Sequence, residues 1–323
     1  MRALVCSSLD GLDGVAVGEL PDPPLVAGGA RIAVRAAGVN FSDLLVIRGL
    51  YQDRPDLPFA PGAEVAGDVV EVADDVSSVA VGDRVYAPVG HGGYAEQAVV
   101  DQGAVVPVPE DMPYEIATTL PLAYGTAYHA LVDRGGLRSG QTLLVLGAAG
   151  GVGLAATQIG AALGARVIAA VGSDEKAAAV RDAGADEVLR YDQRELRDAL
   201  RELVPDGADV AFDPVGGDAT EAALRSMAWN GRLLIIGFAS GDIPAVPANL
   251  PLLKGCAVVG VFWGRFASME PHRNRRNFET LGSWWLDGRI DPLVSQTYDL
   301  DHATEALRRI GGRDAIGKLV ILP

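Results

Sequence analysis

The chain reads as an α/β protein of two domains: one β-rich and irregular, the other a parallel sheet covered by helices. Three observations predict this. The 323 residues are 49% hydrophobic, enough for two cores. Prolines punctuate residues 21–121, and none occurs from 122 to 204. From Gln141 onward apolar, β-rich runs recur with amphipathic stretches between most of them, the rhythm of a parallel sheet with helices on both faces.

The elements follow in order. In "RIAVRAAGV" (31–39), Ile32, Val34 and Ala36 alternate with Arg31, Ala33 and Arg35, the pattern of a half-buried strand. "EVAGDVVEVA" and "GDRVYAP" follow, with Gly, Pro and Asp between them, and complete a compact β domain. The second part contributes "TLLVL" (142–146), "RVIAAV" (166–171), "EVLRY" (187–191), "DVAFDPV" (209–215), "RLLIIG" (232–237) and "AVVGVF" (257–262). Six such strands match a full Rossmann sheet. Residues 173–184 and 218–231 read as amphipathic helical stretches, and "HATEALRRIGG" then "KLVILP" as a last helix and strand.

Charge and composition exclude several classes. A formal net charge of −15 argues against nucleic-acid and anionic-membrane surfaces, which reward cationic faces. Cys6 and Cys256 are the two cysteines, too few for a disulfide framework or a zinc cluster, so a reducing cytoplasm is expected. The start, "MRALVCSSLDG", has too short an apolar run for a signal peptide. Ser139 to Ala165 carries no charge over 27 residues, long enough to span a bilayer. It holds seven glycines, however, and changes from a strand to a helical spacing of Val152, Ala155, Ala156, Ile159 and Leu163. A strand that becomes a helix is not a spanning helix.

That change of rhythm happens in "LLVLGAAGGVG" (143–153), where Gly147, Gly150, Gly151 and Gly153 separate strand from helix. Glycines there let the backbone turn and let a phosphate approach the amides. A helix starting near Val152 presents unpaired N–H groups and the positive end of its dipole. Gly147-x-x-Gly150-x-x-Gly153 is a variant of the dinucleotide fingerprint, and its place after a strand in a βαβ pattern supports that reading. The alternative is that the small residues permit close strand–helix packing. An NAD site usually carries an acid about 20 residues on; here the position 19 residues after Gly153 is Gly172, followed by "SDEK". Ser173 and Lys176 suit a 2′-phosphate, which predicts NADPH over NADH. Asp174 and Glu175 argue the other way, and Ser173 also suits a plain helix N-cap.

Together "AAGVNFSDLLVIRGLY", "LPFAPGAEVAG", "VGDRVYA", "GGYAEQ", "LPLAYGTAYHAL", "VLGAAGGVG", "GSDEK", "FDPVGG" and "GRLLIIGF" resemble the medium-chain dehydrogenase/reductases, specifically their zinc-free quinone oxidoreductase (zeta-crystallin-like) branch. "SMAWNGRLLIIGFASGDIPAVPANLPLLKGCAVVGVFWGR" is similar to the quinone oxidoreductase-like protein 2 group. The resemblance implies a GroES-like β-barrel catalytic domain over 1–120, completed by 259–323, and a Rossmann NADPH-binding domain over 121–258. It implies an active site in the cleft between them, and a homodimer.

Zinc-dependent relatives carry Cys where "GVNFSD" has Asn40, and His where "PGAE" has Ala63. The four clustered cysteines of their structural zinc are missing, and His91, His129, His272 and His302 are scattered, each expected at the surface or in a cleft. No metal is therefore expected. Without a Lewis acid the acceptor must spread charge itself, as quinones, enones and α,β-unsaturated thioesters do; orientation of the nicotinamide is then the protein's main task.

The resemblance places Asn40 and Thr126 beside the nicotinamide half of the cofactor, and Gly150, Gly151 and Val152 at the pyrophosphate. It places Ser173, Lys176 and Tyr191 at the 2′-phosphate, Gly237 and Phe238 after the fifth strand, and Phe262 and Trp263 against the nicotinamide or acceptor. Asn40 also reads as a turn residue, and the Phe–Trp pair as ordinary core. Tyr51 is the candidate proton donor, with water as the alternative. Asp43 either orients neighbouring groups or pairs with Arg48. Asp213 and "DPVGG" read as a strand-end turn without chemistry. Arg265, Arg273, Arg275 and Arg276 form either a solvated face or a landing site for an anionic tail such as that of a CoA thioester. The expected activity is NADPH-dependent, zinc-free reduction of quinones or related conjugated carbonyls. An enoyl-thioester reductase and a non-catalytic NADPH-binding sensor or structural protein are the alternatives.

Overall fold

A computed structural model describes residues 1–323. The chain divides into two compact units, one of Met1–Leu122, Pro271–Gly282 and Pro292–Pro323, the other of Ala123–Glu270 and Ser283–Asp291. The first boundary lies near the expected 120. The return to the first unit starts at 271, not 259, because the helix Trp263–Met269 stays with the parallel sheet. There Phe266 stacks on His129 with ring centroids 3.8 Å apart, and Arg134 donates to the Gly260 carbonyl.

The first unit is built on the 11-residue strand Gly29–Val39. Its seven-stranded sheet runs Val294–Asp299, Lys318–Leu322, Gly29–Val39, Glu64–Val72, Arg84–Pro88, Val106–Pro107, with Gln97–Asp101 also paired to the long strand. Ile32, Val34 and Ala36 are buried and Arg35 is exposed, as the alternation demands. From Ala36 to Val39 both faces are covered and the alternation ends. Buried Leu4, Ile32, Val65, Val69, Val85, Leu319 and Ile321 share one core, held by the hydrophobic effect.

The second unit is a six-stranded parallel sheet in the order Glu187–Arg190, Arg166–Val171, Thr142–Val145, Ala208–Asp213, Met227–Ile235, Ala257–Gly260. Numbered along the sequence this is 3-2-1-4-5-6, the doubly wound order whose switch point lies beside the first strand. The helix expected over 218–231 is shorter. It spans Asp218–Arg225, and the fifth strand starts at Met227. Its register slips between the Ala208–Met227 and Val210–Arg232 pairs, so Ala228–Gly231 bulge outward with Asn230 at φ 63° and Trp229 74% exposed. Asp213 accepts from the Val215 and Gly216 amides and the Thr220 hydroxyl, forming the expected strand-end turn. No helix is long and apolar enough to cross a membrane.

Candidate active site

The long strand of the first unit runs into a short helix, Phe41–Val46, with Asn40 as its extended N-cap. Asn40-x-x-Asp43 is a capping box in sequence, and Asp43 Oδ2 accepts the Asn40 backbone N–H at 2.8 Å. The same oxygen accepts the Tyr94 hydroxyl at 2.5 Å. These partners take the place of the pairing with Arg48. Asp43 is 1% exposed, and of its two expected roles the geometry fits orientation of its neighbours Asn40 and Tyr94. Burial pushes its carboxyl up to about 7, against the hydrogen bonds of Tyr94 and Asn40 and the nearby charge of Lys318. The Tyr94 phenol is driven well up by burial and by the Asp43 carboxylate.

The C-terminal strand completes the cluster. Leu319 pairs with Val39, which brings Lys318 level with Asn40. The Lys318 ammonium, 4% exposed, donates to Glu64 Oε1 at 2.6 Å, Asn40 Oδ1 at 2.7 Å and the Val39 carbonyl at 3.2 Å. Asn40 Nδ2 donates to Glu64 Oε1 at 2.9 Å and to the Gly38 carbonyl at 3.2 Å. Glu64 is fully buried, and its other oxygen accepts the Leu122 amide at 2.8 Å. Gly38 is required here: a Cβ on it would lie 2.8 Å from Glu64 Cδ. Tyr51 packs half-buried against this core. Burial, then the charges of Asp43 and Asp53, raise its phenol and keep it protonated.

In the second unit the glycine loop divides its labour. The helix Gly151–Ala162 has Gly150 as N-cap and no side-chain cap, so its first amides are unpaired. Gly147, Gly150, Gly151 and Val152 are partly exposed, an accessible edge of backbone. Gly153 is buried, and a Cβ on it would lie 2.7 Å from Ala148 Cα. Gly153 is thus taken up by strand–helix packing, while Gly147, Gly150, Gly151 and Val152 leave backbone accessible.

At the end of the second strand, Ser173 caps the helix Asp174–Asp182, its hydroxyl accepting the Lys176 amide at 3.3 Å. The Tyr191 ring, 46% exposed, lies over Gly172. Arg190 pairs with Asp174 and with Asp192. That engages Asp174, one of the two acids that argued for a ribose hydroxyl. Ser173, Lys176 and Tyr191 thus gather around one strand end.

The remaining candidates scatter. Thr126 lies partly exposed in the helical turn Gly125–Tyr128. Gly237 and Phe238 follow the fifth strand, with Phe238 packed at Gly216. The aromatic pair splits: Phe262 is 54% exposed and Trp263 is buried at 8%. Trp263 therefore takes the core reading. His129 is also a core residue, 5% exposed and paired with Asp133 at 2.8 Å, contrary to the expected surface or cleft position. Arg275 is engaged by the Val105 carbonyl and by Glu279. The sequence reading missed Glu64, Tyr94, Arg190 and Lys318. The available signal was Lys318 itself, the single charge opening the apolar run "KLVIL".

A doubly wound sheet with a glycine loop after its first strand, joined in one chain to a β unit with a buried polar cluster, has the architecture of a two-domain dinucleotide-dependent oxidoreductase. Comparison with known proteins gives the particular family. Residues 26–110 match the alcohol dehydrogenase GroES-like domain, and 151–278 the zinc-binding dehydrogenase model. The quinone oxidoreductase-like protein 2 homolog of Nematostella vectensis is 38% identical over 99% of this chain and 88% of that protein. A mycobacterial protein solved as its NADPH complex is 32% identical, with a TM-score of 0.94 over 100% of both chains. Escherichia coli quinone oxidoreductase, also solved with NADPH, is 26% identical with a TM-score of 0.93 over 100% of both chains. The chain belongs to the quinone oxidoreductase-like family of medium-chain dehydrogenase/reductases. A zinc ion, implied by the name of one matching model, does not fit these residues. Zinc takes thiolate, imidazole or carboxylate donors; here Lys318 holds an ammonium against the Asn40 and Glu64 oxygens. No group of three or more His, Cys, Asp or Glu side chains forms a ligand set.

Proposed function

We propose that this protein is an NADPH-dependent, zinc-independent reductase of quinones or related α,β-unsaturated carbonyls. The observation that carries the reading is the Lys318 ammonium engaged with Asn40 and Glu64, where a metal would need open donors. With no Lewis acid to polarise a simple ketone, the acceptor has to delocalise the incoming charge over its own conjugated system. NADPH, when bound, supplies the hydride. The amides of Gly151 and Val152, beside Gly150, receive its pyrophosphate. Ser173, Lys176 and Tyr191 receive the 2′-phosphate, a choice supported by Gly172 where an NAD site would have an acid. Asn40 and Thr126 orient the nicotinamide, with Gly237, Phe238 and Phe262 along the cofactor. The Tyr51 phenol, held protonated, donates the proton.

The reading includes a homodimer. Its support is the outer strand Ala257–Gly260, with Val258 39% exposed. The deciding experiment measures NADPH oxidation with a simple quinone and with an enoyl-CoA, compared as kcat/KM. The quinone is expected to win by a wide margin, and Tyr51→Phe to lower its turnover without weakening NADPH binding. Preference for the enoyl-CoA makes the protein an enoyl-thioester reductase. NADPH binding with no turnover on either acceptor supports a sensor or structural role and overturns the reductase reading.

A further inference from the structure

We propose that Lys318, held by Glu64, is a positioning residue that makes Asn40 a hydrogen-bond acceptor with no donor to spare. The proposal rests on the reading that Asn40 meets the nicotinamide half of NADPH. A carboxamide has two N–H donors and two lone pairs on its oxygen. Both Asn40 donors are engaged inside the protein, at Glu64 Oε1 (2.9 Å) and the Gly38 carbonyl (3.2 Å). Its oxygen takes the Lys318 ammonium at 2.7 Å; it makes no capping hydrogen bond to the helix, whose Asp43 amide donates to the Asn40 backbone carbonyl at 3.2 Å instead, so one lone pair stays open.

The charges fix which end of the amide points where. Turned over, Asn40 would set its NH2 against the ammonium and its oxygen against the carboxylate. Nothing else in the cluster is free to relax. The three Lys318 donors go to Glu64, Asn40 and the Val39 carbonyl, and the second Glu64 oxygen holds the Leu122 amide. Buried, charge-assisted bonds of this kind resist reorganisation. One chemical consequence follows: the group that Asn40 meets is itself a donor, a ribose hydroxyl or an amide N–H. Asn40 does not polarise the acceptor's carbonyl, and that task falls to another group.

The test is a fluorescence titration with NADPH, read as Kd and independent of any acceptor, at a temperature where each variant is folded. Asn40→Ala and Lys318→Met are each expected to weaken NADPH about tenfold, the scale of one hydrogen bond. The double variant is expected to bind no worse than Asn40→Ala alone, because Lys318 acts only through Asn40. A purely structural lysine would instead multiply the two losses, or leave Kd unchanged, and either outcome overturns the proposal. Lys318→Gln, which keeps a donor in a similar volume, guards against a Lys318→Met chain that does not fold. It is expected to show a smaller loss, and a loss as large as that of Asn40→Ala overturns the proposal. If the unmodified protein fails to bind NADPH, the cofactor reading falls and takes this one with it. If it binds NADPH but reduces no quinone, only the acceptor reading falls.

Discussion

The glycine loop at 147–153 and the polar cluster around Asn40 are built in two different ways. The loop is made of backbone: its partly exposed amides lie within seven consecutive residues, and its local geometry needs no side-chain cap. The cluster is made of side chains from distant points. Lys318 and Glu64 are 254 residues apart, and both are buried. Backbone sites tolerate neighbours and depend on small residues. Side-chain clusters depend on every member, since removing one leaves another buried without its partner.

The largest expected effect tests that dependence. Glu64→Leu leaves the Lys318 ammonium buried and unpaired, and is expected to lower the unfolding free energy by about 3–5 kcal/mol. The double variant Glu64→Leu/Lys318→Met replaces the pair with apolar groups and is expected to recover most of the loss. Urea denaturation of the parent and both variants reads the difference. If Glu64→Leu unfolds at the parental midpoint, the cluster is no more interdependent than the loop. Recovery of stability in the double variant without recovery of NADPH binding would separate what the pair does for the fold from what it does for the site.

The same contrast explains what the sequence revealed. The parallel sheet was legible because its strands are continuous apolar runs and its loop is contiguous. "RVIAAV" was read over 166–171 and forms a strand over those residues. Where strand and helix share amphipathic residues the reading slipped, as at Met227–Gly231, where a bulge replaces the helical continuation. Asn40 and Asp43 are legible through the family resemblance of "GVNFSD", but the burial of Asp43 is not, because it comes from Tyr94 and the strands around it. Lys318 stayed hidden for a related reason. Its partner set exists only once the C-terminal strand pairs with the strand ending at Val39. No local spacing encodes that.

A smaller effect is expected from pH. The Asp43 carboxyl lies at about 7 in the folded protein, raised first by burial. Its ordinary unfolded value is near 4, so the folded state holds the proton more tightly. The stability it contributes is full below about pH 4 and is lost as pH rises through about 7. Relative to Asp43→Asn, whose side chain does not ionise, the parent should therefore lose a few kcal/mol between about pH 4 and 8. Denaturant midpoints of both proteins at pH 5 and pH 8 check the sign. A constant gap between them would mean that Asp43 ionises alike in both states, and that the cluster is more open to water than its burial indicates.

The smallest effect belongs to the backbone side of the comparison, where the proposed function gives one side chain, Lys176, the choice between dinucleotides. Lys176→Ala removes a cation from the helix that Ser173 caps, while the amides of Gly151 and Val152 remain. The pyrophosphate is common to NADPH and NADH, so its binding should not distinguish them. The 2′-phosphate is not common, and losing one charge-assisted contact to it is expected to weaken NADPH about tenfold while NADH stays within about twofold. Parallel titrations with the two dinucleotides give the ratio. An equal loss for both would place Lys176 in support of the helix and leave the preference to Ser173 and Tyr191. No loss for either would point to Arg190, which already engages Asp174 and Asp192 at the same strand end. Selectivity would then come from the acids neutralised by Arg190, through the reduced repulsion at the 2′ position, and Arg190→Ala would be the variant that shifts preference toward NADH.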